Sequence, residues 1–204
     1  MSTRVERTNR GRRRYLLTAL QLERMIEAGV FPERDDLELL GGVLYKIVKK
    51  EPHNFAVAQV ADALRRALPE AFHVREEKSV RLSQRSLPEP DVVVAIGRPG
   101  TYRPRPPEAR DVALLVEVCH HSQKADYQDK YRRYAAAGVP EYWIVDLHRR
   151  GVEVFVGPAG RGLTARYSES AWYGEDLTVP VMLLGQTVGA IAVRDVLPPA
   201  NVTS

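Results

Sequence analysis

Residues 113–119 read Ala-Leu-Leu-Val-Glu-Val-Cys, and residues 89–94 read Glu-Pro-Asp-Val-Val-Val. The runs 112–118 and 92–96 are apolar almost throughout, which is the pattern of strands covered on both faces. Each carries one carboxylate out of keeping with it: Glu117 inside the first run, Asp91 at the head of the second. An unpaired carboxylate on a buried strand is costly, so packing gives no reason for either. Two such strands side by side form a cleft whose hard oxygens suit a divalent cation. Alternation puts Glu117 on the face of Leu115 and Cys119 and turns Val116 and Val118 to the other layer. Pro90 stands at the start of its strand, where a missing N–H costs least.

Downstream, residues 123–137 read as a helix stopped by Gly138. On it Asp126, Lys130 and Tyr134 are spaced i, i+4, i+8 and share one face. Strands over 142–145 and 152–155 follow, joined by a turn over 146–151. Residues 160–175 read as a Gly-rich, polar hairpin, and 176–197 show short apolar pieces with little period. Upstream lie a Pro-rich loop over 98–107, a loop over 83–90 and a half-exposed strand over 74–82. A helix over 53–68 is marked by Phe55, Val57, Val60, Ala61 and Leu64. Residues 37–48 form two strands around Gly41-Gly42. Thr18 caps a helix over 19–28 that Gly29 ends. The order predicts an α/β fold with a mixed central β-sheet flanked by helices.

The chain has 204 residues, 44% hydrophobic and 27% charged, enough for one domain with a sizeable core. The net charge of +4 is unevenly spread. Residues 1–14 hold six arginines against Glu6, which leaves the rest of the chain close to neutral. The expected organisation is a basic, flexible arm over 1–17, a single domain over 18–197 and a tail over 198–204. The arm reads either as a contact for nucleic-acid phosphates or as a solvated leader. No apolar run is long enough to cross a bilayer, and the single Cys119 suits a reducing compartment, so a cytoplasmic protein is expected.

Hydrolysis of a phosphodiester needs oxygen ligands for Mg²⁺, a metal-activated water and a cation near the attacked phosphate. Asp91 and Glu117 supply carboxylates, the Val118 carbonyl is a further candidate metal ligand, and Lys130 supplies the cation. Cys119, His120 and His121 do not make a zinc site, because no second ligand pair stands at finger spacing and adjacent strand residues face opposite ways. The absence of a Gly-x-Ser-x-Gly elbow or other convincing nucleophile argues against a small-molecule hydrolase.

A Pro-Asp followed one crossover later by a Glu resembles the PD-(D/E)XK nuclease superfamily. The run Glu117-Val-Cys-His-His-Ser122, with Asp126, Lys130 and Tyr134-Ala-Ala-Ala-Gly-Val-Pro-Glu-Tyr-Trp-Ile-Val-Asp146, is similar to the Uma-two family of restriction endonucleases. Glu38-Leu39-Leu40-Gly41-Gly42 matches that family's first hairpin approximately, and His53 matches a histidine opening its next helix. The similarity runs over about 18–155. It implies a restriction-endonuclease-like core, Mg²⁺ with Mn²⁺ as a substitute, and DNA as substrate. The superfamily's lysine two residues after the Glu is replaced here by Cys119, which makes Lys130 its migrated counterpart. His120 and His121 also depart from the small polar residues usual after the Glu.

The expected catalytic set is Asp91, Glu117, Lys130, Glu38 and His53, with Asp91, Glu117 and Val118 on the metal. Glu38 reads as a third acidic ligand or as a solvated hairpin charge; His53 reads as an active-site residue or as a surface residue opening its helix. The expected function is a metal-dependent endonuclease acting on DNA, with a catalytically weak or inactive DNA-binding or assembly module as the alternative. Cutting both strands calls for two sites, so a homodimer is expected by analogy.

Overall fold

A computed structural model describes residues 6–7, 13–31, 37–47, 51–119 and 124–200, with backbone only at 6–7, 13 and 124–127. Two short strands, β1 (Glu6–Arg7) and β2 (Arg13–Arg14), pair within the expected arm. The other arm residues up to Arg12 lie outside the description. Leu16 is already buried, and the Leu17 N–H donates to Gly42 O at 3.0 Å. Thr18 caps α1 (Ala19–Glu27) through a capping box: its Oγ1 accepts from Gln21 N, and Gln21 Oε1 accepts from Thr18 N.

Strands β3 (Leu37–Leu40) and β4 (Val43–Lys46) form the hairpin expected at Gly41-Gly42. Both glycines have positive φ, 60° and 89°, which a tight two-residue turn demands. Leu39 and Leu87 exchange backbone hydrogen bonds, tying this hairpin to the loop that delivers Asp91.

The helix α2 (Glu51–Ala67) buries Ala56, Val57, Val60, Ala61 and Leu64, a stripe at helical spacing. The central sheet runs β10-β9-β8-β7-β6-β5. Its strands are β5 (Phe72–Glu76), β6 (Val92–Ile96), β7 (Val112–Cys119), β8 (Glu141–Asp146), β9 (Gly151–Ala159) and β10 (Arg166–Gly174). All neighbours are antiparallel except β7 and β8. A parallel pair needs a crossover, and α3 (Lys124–Ala137) provides it. The last pair, β11 (Thr178–Leu183) and β12 (Gln186–Ala192), forms a separate hairpin.

One face of the sheet packs against α2 and the β11–β12 hairpin through Val92, Val94, Leu114, Val116, Trp143 and Val145. The other packs against α3 through Val93, Leu115, Tyr134 and Tyr142. Every residue of β7 is buried, as its apolar run predicted. Truncating one of its fully buried leucines costs about 3 kcal/mol.

Three expectations fail. The strand predicted over 74–82 stops at Glu76, because Glu77 turns the chain with φ 48° and donates its N–H to Asp91 O. Residues 160–175 are not a hairpin of their own: β10 pairs with β9, and 160–165 is only the tip. The stretch 176–197 is ordered as β11, β12 and a final 3-10 turn, with Val179, Val181, Ile191 and Val196 in the core. Among the described residues no helix is long and apolar enough to cross a membrane.

Candidate active site

The site lies where the start of β6 meets the end of β7. The β6–β7 register pairs Val92 with Val116, so its continuation would set Pro90 opposite Val118. The Asp91 side chain takes over at that point: its Oδ2 accepts from Val118 N at 2.7 Å. The same oxygen lies 3.1 Å from His53 Nε2 in the first turn of α2. A carboxylate can only accept, so Nε2 carries the proton. Asp91 is thus buried with one oxygen fixed from two sides.

Glu117 points from β7 toward α3, the face that alternation predicts. It is 3% exposed. Its Oε2 lies 3.1 Å from Lys130 Nζ, and its Oε1 accepts from Tyr134 OH at 2.5 Å. Lys130 and Tyr134 are one helical turn apart, so a single face of α3 grips both oxygens. Lys130 Nζ also lies 3.1 Å from Glu38 Oε2 on β3. That contact is an ion pair without hydrogen-bond geometry, and Glu38 Oε2 is a buried acceptor with no hydrogen bond among the described residues. Lys130 is itself buried, so it is not one half of a surface i, i+4 pair.

Three carboxylates therefore face one ammonium and one imidazole. Burial pushes Glu117 up to about 7; Lys130 and the Tyr134 hydroxyl oppose the rise, while Asp91 and Glu38 add to it. Burial also works against the Lys130 ammonium, yet Glu117, Glu38 and Asp91 hold its pKa above the ordinary lysine value. Burial disfavours charge on His53, but its hydrogen bond and attraction to Asp91 hold its pKa above the usual histidine value. The arrangement has anionic oxygen in excess.

That donor set fits a hard divalent cation: all three acidic ligands are oxygen, and Glu38 Oε2 lacks a hydrogen bond. It is not a ready-made cage. Among the described residues, no three His, Cys, Asp or Glu side chains stand in a metal-holding arrangement.

All five residues expected in the catalytic set meet here, and Val118 touches Asp91 through its N–H. Glu38 is a buried member, not a solvated hairpin charge. The side chain of Asp126, and His120 and His121 entirely, lie outside the described residues. Burial raises the Cys119 thiol to about 12, which keeps it unreactive.

Sequence reasoning gave Tyr134 no role, though its spacing from Lys130 carried the signal. It also missed Arg133, which bonds Asp129 at 2.8 Å and lies over Gly41. A Cβ at Gly41 would sit 2.9 Å from its guanidinium. Arg133 thus stands against the β3–β4 hairpin, the element that carries Glu38 to Lys130.

No curated protein matches the chain. Among solved structures, a crystal structure of "a putative nuclease belonging to DUF820" from Anabaena variabilis ATCC 29413 superposes with a TM-score of 0.63. The match covers 88% of this chain and 97% of that one at 14% identity, a likeness of fold. The restriction-endonuclease-like α/β core expected from the sequence is the fold observed. A family model described as "Putative restriction endonuclease" matches residues 19–188, from the start of α1 into β12. With most of its length inside that match, the chain belongs to the Uma2 family.

Proposed function

We propose that this protein is a metal-dependent nuclease that hydrolyses phosphodiester bonds in DNA. The observation that carries the reading is the meeting of Asp91 and Glu117, from two different strands, with Lys130 Nζ 3.1 Å from the Glu117 carboxylate. Family and fold support a nuclease. Asp91 and Glu117, with the Val118 carbonyl, would hold Mg²⁺ or Mn²⁺, and Glu38 stands next to them.

A bound divalent cation would supply an ionised water and offset charge on the leaving oxygen. The chain's own residues do the rest. His53 and the Val118 N–H stop Asp91 from rotating. Tyr134 fixes the other carboxylate through Oε1. The Lys130 ammonium, screened from water, stabilises charge that grows on a phosphate oxygen. Cutting both strands would call for two copies of this site, and a homodimer is the arrangement we propose for that. The buried, unreactive Cys119 is compatible with a cytoplasmic setting.

One observation favours a second reading, a DNA-binding module without efficient turnover: Lys130 already pairs with Glu117 and Glu38. Calorimetric titration with Mn²⁺ separates the two. The nuclease reading expects saturable binding by the native protein and its loss in Asp91→Ala and in Glu117→Ala, both still folded by circular dichroism. Equal Mn²⁺ affinity in all three proteins would leave the module as the better account.

A further inference from the structure

The far end of the sheet is basic. The chain leaves β6 at Ile96 and enters β7 at Val112, and the connecting stretch 98–111 holds Arg98, Arg103, Arg105 and Arg110 against Glu108 and Asp111. Arg75, opposite Val93 on the edge strand β5, extends a fifth guanidinium to the Tyr102 ring of this loop. The cluster stands in a body that, residues 1–14 aside, is close to neutral only with these arginines counted.

The cluster is built around Tyr102. Its hydroxyl donates to Ile96 O at 2.6 Å, which anchors the loop to the end of β6. His73 stacks on the ring at 5.5 Å, and the guanidinium carbons of Arg75 and Arg105 stand 5.6 and 5.9 Å from its centre. Arg105 is paired with Asp111 at 2.9 Å. Arg75 has no carboxylate within ion-pair distance among the described residues, and its Nε is buried without a hydrogen bond. Burial lowers the pKa of Arg75, the direction expected of a partly desolvated guanidinium, and Tyr102 opposes the shift. A half-buried guanidinium on an aromatic ring, with further cations beside it, is suited to a phosphate oxyanion.

We propose that Arg75, Arg103, Arg105 and Tyr102 form a second contact surface for nucleic-acid phosphates, separate from the carboxylate site. The identity of the polyanion rests on the nuclease reading. Asp91 and Glu117 stand at the opposite ends of the strands that this loop joins. The five residues of β6 set the separation of the loop arginines from Asp91 at roughly 17 Å, about five nucleotides of a stacked strand, and Arg75, level with Val93, lies between the two. The surface therefore grips the backbone away from the scissile bond and sets a minimum length for tight binding.

The test measures binding of a fluorescent 20-nucleotide duplex and of inorganic phosphate to the full chain in EDTA, across a range of salt. Arg103→Glu reverses an exposed charge without touching the core, and Arg75→Gln keeps the stem that packs on Tyr102. The proposal expects each to weaken duplex binding roughly five- to ten-fold. Each should also reduce the slope of log affinity against log salt by about one or more. Arg166→Gln, exposed on β10 at the other edge of the sheet, should keep the native slope. If both arginine variants retain the native affinity and slope, the surface does not bind DNA. Displacement of the duplex by low-millimolar inorganic phosphate, with duplex affinity unchanged in both variants, would instead assign a free-phosphate site and overturn the proposal. Retained cleavage by Glu117→Gln would count against the nuclease reading alone and leave the slope result standing.

Discussion

Two buried glutamates stand on neighbouring strands, and burial pushes both carboxyls up to about 7. Glu117, late in β7, faces α3 and meets Lys130, Tyr134 and the charges of Asp91 and Glu38. Glu141 opens β8 on the α2 face, and its hydrogen-bond partner there is the Trp143 indole, at 2.6 Å. A displaced pKa therefore does not by itself mark a working site. What separates the two is convergence: one carboxylate sits among groups from α3, β3 and the head of β6, the other, among the described residues, against the Trp143 indole of its own strand.

Lys130→Ala should sharpen this contrast most. On the proposed function the ammonium acts on charge that grows during attack, so single-turnover cleavage should fall roughly 10²-fold or more. Mn²⁺ affinity should stay close to native, since the variant removes a competing cation and no ligand. Arg132→Ala, exposed on the same helix, is the control. Native cleavage by Lys130→Ala would remove the lysine from the chemistry.

Glu141→Gln should leave cleavage untouched and change the pH dependence of stability. The folded carboxyl titrates near 7 and the unfolded one near its ordinary 4.5. The folded state thus holds the extra proton between these values, and stability falls as pH rises from 4.5 through 7. The loss amounts to roughly 3 kcal/mol. Gln cannot ionise and still accepts from Trp143, so urea unfolding at pH 5 and pH 8 should show a smaller decline in the variant. Parallel declines in the two proteins would contradict this.

Tyr134→Phe is the gentlest of the three changes. It removes the hydroxyl on Glu117 Oε1 while keeping the ring that packs on Tyr142. A stability loss of about 1–2 kcal/mol is expected from the unsatisfied acceptor. Cleavage should fall by less than Lys130→Ala costs. A rate loss equal to that of Lys130→Ala would give Tyr134 a part in the reaction itself.

The carboxylates were legible because each interrupts an apolar run that had to be a buried strand. Lys130 was legible by its spacing, but not its burial between Glu117 and Glu38. That depends on how the β3–β4 hairpin docks, through long-range contacts such as Leu39 with Leu87 and Arg133 over Gly41, which no local pattern displays. The C-terminal stretch was unreadable for another reason. Val179, Val181 and Leu183 alternate, but the register with β12 shifts between Val181 and Met182, and Pro180 and Gly189 dilute the strand signal. In the stretch 74–82, Val74, Val80 and Leu82 kept an alternating look across a turn that only the positive φ of Glu77 reveals.

On the proposed function Glu117, and not Glu141, belongs to a metal-dependent phosphodiesterase site. Nicking of supercoiled plasmid DNA in Mn²⁺ tests it directly, with the native protein, Glu117→Gln and Glu141→Gln side by side. The native protein and Glu141→Gln should nick at matching rates, abolished by EDTA, and Glu117→Gln should not nick. Plasmid left intact by the native protein in saturating Mn²⁺, or nicked at the native rate by Glu117→Gln, would contradict it.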